Sequence, residues 1–78
     1  MSHSQYTATF DFFGDTLAVR WDGSVWVSPS NGQQHARQAD AVRAECEISI
    51  LASGDDPRGF AAAIQDAIDD AAERQVPA

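Results

Sequence analysis

The sequence predicts an α+β fold, in which an antiparallel three- to four-stranded β-meander packs in two layers against two C-terminal helices. Strand-like alternation broken by glycine turns fills residues 4–36, and apolar residues at helical spacing fill residues 38–75. Between them lies the turn-rich stretch "SPSNGQQ". A chain of 78 residues is read as a single domain, 1–78.

The strands come first. In "QYTATFDFF", Tyr6, Ala8, Phe10 and Phe12 alternate with Thr7, Thr9 and Asp11. Gly14–Asp15 supplies a two-residue turn of type II′, and "TLAVRW" then gathers Leu17, Val19 and Trp21 on one side. Asp22–Gly23 is a second two-residue hairpin signal, followed by "SVWV". These turns pair Phe12 with Leu17, Phe10 with Val19, Ala8 with Trp21, and Val19 with Trp26. Paired residues share a face, so both turns place Tyr6, Ala8, Phe10, Phe12, Leu17, Val19, Trp21 and Trp26 on one apolar side. The other side carries Thr7, Thr9, Asp11, Thr16 and Arg20 together with Phe13, Val25 and Val27. These last three residues form an expected apolar patch, covered by the N-terminus or the 28–36 turn, or else open to a homodimer or partner contact.

Asn31–Gly32 closes a third hairpin into a short edge strand around 33–36; the alternative is a direct lead into a helix. From 38 to 52 a helix is preferred, with Ala41, Ala44, Ile48 and Leu51 on one side and Val42, Cys46 and Ile50 on another. A strand over 46–52 is the rival, because Cys46, Ile48 and Ile50 alternate with Glu45, Glu47 and Ser49. Gly54 suits the position after that helix. Asp56 suits an N-cap and Pro57 a first helical residue. The last helix then runs to about Arg74, with Phe60, Ile64, Ala67, Ile68 and Ala71 at core spacing, and "QVPA" is an expected frayed tail.

Composition narrows the function. With one cysteine there is no internal disulfide, and neither His3 nor His35 lies at zinc spacing from Cys46. No metal and no cofactor is expected. Cys46 paired with His35 would make a nucleophile, but its apolar neighbours make it a core residue instead. No phosphate loop, GxSxG or nucleotide fingerprint occurs, and no convergent acid–base pair can be assembled, so an enzyme is not expected. There is no apolar run long enough to span a membrane and no signal-peptide pattern. A free thiol without such a signal points to the cytoplasm.

Charge is the outlying property. Twelve acids stand against five arginines and no lysine, a net charge of −7. Such a surface repels nucleic acid and attracts basic proteins. Asp66, Asp70 and Glu73 fall at i, i+4 and i+7 on one stripe of the last helix, with Asp69 alongside and Asp55 and Asp56 before its start. The stripe spaces carboxylates roughly 6 and 4.5 Å apart along the axis. That is of the order of duplex DNA, with a charge every ~3.4 Å per strand. A solvated helix face would also be acidic. However, like charges at i, i+4 destabilise a helix by a few tenths of a kcal/mol per pair, and only Arg74 compensates them locally. Asp40, Glu45 and Glu47 add charge on the first helix, and their relation to the stripe is not given by spacing.

The meander "YTATFDFFGDTLAVRWDGSVWVSPSNG", the following "ADAVRAECEISILASGDD" and the short acidic format resemble the small phage- and mobile-element-encoded anti-CRISPR proteins. Among these the chain most resembles inhibitors of type I systems, type I-C included. The family has no shared sequence signature, so no functional residue carries over by position. The resemblance implies a stoichiometric inhibitor that works in the bacterial cytoplasm. Its partner would be the basic DNA-binding surface of a CRISPR-Cas Cascade subunit, and it would bind no nucleic acid directly and no membrane. Acting as a DNA mimic through Asp55, Asp56, Asp66, Asp69, Asp70 and Glu73, as a monomer or weak homodimer, it would block target DNA and protospacer-adjacent-motif recognition. The other class of function left open is a small non-catalytic interaction or regulatory module, dimeric through the apolar sheet face.

Overall fold

A computed structural model describes residues 6–74. The expected start of the first strand at 4–5, the imidazole of His3 and the tail at 75–78 lie outside the described residues, as does the side chain of Tyr6. Four strands, β1 (Tyr6–Phe12), β2 (Asp15–Trp21), β3 (Trp26–Ser28) and β4 (Gln33–His35), form an antiparallel sheet in the order β1-β2-β3-β4. Helix α1 (Gln38–Ala52) follows, and a short 3-10 helix (Pro57–Phe60) leads into α2 (Ala61–Arg74). Residues 46–52 are therefore helical, and the edge strand after Asn31–Gly32 is present.

Both of the first two turns differ from expectation by an even step. The β1–β2 loop is Phe13–Gly14, not Gly14–Asp15, and Phe12 faces Asp15, Phe10 faces Leu17 and Ala8 faces Val19. Phe13 (φ 50°) and Gly14 (φ 84°) both have positive φ, the pattern of a type I′ turn, which matches strand twist. The β2–β3 loop has four residues, Asp22 to Val25, so that Trp21 rather than Val19 faces Trp26. Asp22 explains the longer loop: its carboxylate accepts the N–H groups of Ser24 and Val25, each at 3.0 Å. These bonds, Val25's first, hold the Asp22 pKa below its ordinary value. A shift of two residues preserves the facing of every side chain, so the apolar face survives the change of register.

That face builds the core. Ala8, Phe10, Phe12, Val19 and Trp26 from the sheet meet Ala41, Val42, Cys46 and Ile50 from α1 and Ile64, Ala67 and Ala71 from α2. Helix α2 packs along β1, α1 crosses β2, β3 and β4, and the helices pack on each other. Fully burying a residue such as Phe10 stabilises by roughly 1.5–3 kcal/mol. On α1, Ala41, Val42, Glu45, Cys46 and Ile50 are buried and Ala44 and Ile48 half-buried between the sheet and α2, whereas Leu51 is 61% exposed. The helix ends in a Schellman motif, with Gly54 N–H bonded to Leu51 C=O and Asp55 N–H to Ile50 C=O at 3.0 and 3.1 Å. Asp56 caps the 3-10 helix by accepting the Arg58 N–H at 2.9 Å.

The expected apolar patch on the second sheet face does not form. Val27 is buried and Val25 half-buried, while Phe13 occupies the turn at the opposite end of β2. Among the described residues no helix is long and apolar enough to cross a membrane.

Candidate functional site

Six carboxylates carry the candidate site, and the structure divides them. On α2, Asp66, Asp69, Asp70 and Glu73 fall within an arc of about 100° at 3.6 residues per turn, opposite the buried Ile64, Ala67 and Ala71. Three of the four are free of arginine: Asp66, Asp69 and Glu73 are exposed and make no ion pair among the described residues. Asp69 accepts a hydrogen bond from the Gln65 amide at 3.1 Å.

Asp70 is engaged within the fold. It accepts the backbone N–H of Asp11 at 3.0 Å and the Nε–H of Arg74 at 3.2 Å, while Arg74 Nη2 donates to the Asp11 carboxylate at 2.7 Å. The bond to Asp11 is the first cause of a raised Arg74 pKa, and the charges of Asp11 and Asp70 add to it. This network ties α2 to β1, the outermost strand on that side of the sheet, and uses an N–H that would otherwise be open for pairing. Asp56 is engaged too. Arg58 reaches it at 2.9 Å, and this side-chain bond, then the backbone bond, holds the Asp56 pKa below the usual range. Asp55 is exposed and without an arginine.

The remaining acids separate by role. Asp40 takes both Arg37 and Arg43, at 3.5 and 3.4 Å. Glu45 is only 5% exposed, and its oxygens accept the hydroxyl of the fully buried Ser28, the Ser30 N–H at 3.0 Å and the Ser30 hydroxyl at 2.8 Å. A carboxylate leaving water needs such donors, and these three pin α1 to the β3–β4 hairpin. Cys46, beside it, is in the core. Burial first, then the charges of Glu45 and Glu47, push its thiol up to about 12, so it is protonated at neutral pH. His35 has a buried Nε2 with no hydrogen-bond partner. Among the described residues no group of histidines, cysteines and carboxylates has the arrangement of a metal site.

Spacing alone does not mark Phe13 as part of the acidic surface, yet it stands between two clefts walled by carboxylates. It is 69% exposed, and its ring packs edge-on against Phe12 and Phe60, with centroids 4.7 and 5.7 Å apart. On one side a cleft of ≈ 350 Å³ runs between Phe13 and α2, walled by Asp11, Asp66 and Asp70. On the other a cleft of ≈ 290 Å³ runs toward the end of α1, walled by Asp15, Asp55 and Phe60. The signal in the sequence was "DFFGD": a bulky residue where an Asn-Gly turn would be favoured, with an acid at each end. No family model, no curated protein and no solved structure is matched by this chain.

Proposed function

We propose that this protein is a non-catalytic inhibitor of the anti-CRISPR kind, an acidic mimic of DNA. It occupies the basic DNA-binding surface of a type I Cascade complex in the bacterial cytoplasm and prevents target DNA and protospacer-adjacent-motif recognition. One observation carries the reading: Asp66, Asp69 and Glu73 lie along one side of α2, exposed, while the arginines that form ion pairs do so with Asp11, Asp40, Asp56 and Asp70. Carboxylates in a row without an arginine repel one another and gain most from a cationic groove. Asp55 extends this surface; Asp56 and Asp70 are already held by arginines and contribute less.

The test is competition for target DNA by purified type I Cascade. Wild-type protein lowers DNA binding, and less so as salt rises. The triple variant Asp66→Lys, Asp69→Lys, Glu73→Lys spares the Asp70 network and so keeps the fold, checked by circular dichroism and melting. It should lose inhibition. Full inhibition by that folded variant overturns the proposal.

A further inference from the structure

We propose that the exposed Phe13 ring and the two clefts beside it are a docking point for arginine side chains of a basic protein partner. The inference deepens the reading above and rests on it only for the identity of that partner. A net charge of −7 selects a cationic occupant and disfavours a second copy of this chain. Each cleft pairs Phe13 with carboxylates that no arginine of the chain neutralises, Asp66 on one side, Asp15 and Asp55 on the other. The other two carboxylates of the first cleft, Asp11 and Asp70, are already taken by Arg74, which leaves Asp66 for an incoming cation.

The chemistry favours arginine over lysine. A guanidinium is flat and weakly hydrated, stacks on an aromatic face and still hydrogen-bonds a carboxylate in its plane. An ammonium is a compact, strongly hydrated charge and gains chiefly from the acids. Phe13 is already held by Phe12 and Phe60, so little side-chain freedom is lost when a partner arrives. Aromatic residues, phenylalanine included, and arginine are both enriched at protein interfaces. Phosphate mimicry alone would need no ring there.

The experiment uses the full chain with labelled phenylalanine rings, titrated at low salt with acetyl-Gly-Arg-Gly-Arg-Gly-amide and, in parallel, with the lysine counterpart. Phe13 ring resonances should shift and saturate, with the arginine peptide bound about two- to fivefold more tightly. Phe13→Asn suits the positive φ of the turn and keeps the fold; it should abolish that preference while leaving weak binding of both peptides. Glu47→Gln, on α1 and outside both clefts, should preserve the preference. Equal binding of the two peptides, or an unchanged preference in Phe13→Asn, overturns the inference. Since no Cascade is present, a failure here leaves the competition result standing, and arginine preference without Cascade inhibition keeps the docking point and discards the target.

Discussion

Glu45 and Asp70 are both helix carboxylates, and both tie their helix to the sheet, but they do so under opposite conditions. Glu45 is out of water and satisfied by two hydroxyls and one backbone N–H of the β3–β4 hairpin. Asp70 sits at the rim, shared between an arginine and the Asp11 N–H at the edge of β1. Water can replace the partners of Asp70, whereas the Ser28 hydroxyl that Glu45 accepts is fully buried. The comparison teaches that acids in an acidic protein are not interchangeable: one is architecture, one is an edge guard, and the exposed ones that meet no arginine remain for a partner.

Variants can break or sharpen this contrast, and the largest effect is expected at Glu45. Glu45→Ala leaves the buried Ser28 hydroxyl unsatisfied and should lower stability by about 3 kcal/mol in urea unfolding. A loss below that of Asp70→Ala would invert the ranking. Next comes alkaline pH, which probes the same buried side of α1. The Cys46 pKa is raised from 9.0 to about 12, so the folded chain keeps a proton that the unfolded chain gives up. Its contribution is present below pH 9 and falls by about 1.4 kcal/mol per pH unit above it. Unfolding curves of wild type and Cys46→Ala should therefore converge between these values; parallel curves would mean that the thiol is reached by solvent.

Asp70→Ala follows, at about 1 kcal/mol, because water takes over the Asp11 N–H. A loss as large as that of Glu45→Ala would make the edge contact structural. The smallest change is expected at Phe13→Asn, within about 1 kcal/mol of wild type. The ring contacts it removes, worth ~0.5–1.5 kcal/mol, are offset by relief of a positive φ that costs a bulky residue ~1–2 kcal/mol. A strongly destabilised variant in thermal melting would show that the exposed ring holds the hairpin together.

Much of the fold was legible because its rules are local. Period-two alternation placed Ala8, Phe10, Phe12, Val19 and Trp26 inside even though two loops were misplaced, since each error was an even number of residues. Gly54 and Asp56 marked the break between the helices because cap chemistry involves only neighbours. The site was less legible. Asp56 read as a cap and Arg74 as the local counter-charge of the stripe, but the bonds from Arg58 to Asp56 and from Arg74 to Asp11 did not; Glu45 read as one more helix acid, although Ala41, Val42 and Cys46 flank it on the same face.

What the sequence by itself determined is therefore the pattern: which faces are apolar, which glycines break the chain, how far acids outnumber cations. What only the tertiary structure decided is which acid is engaged and which is free. Asp70 meets Asp11 across 59 residues and Glu45 meets Ser28 across 17. The state of a carboxylate depends on the donors brought to it by packing, and spacing along a chain carries no record of a partner that arrives from another layer.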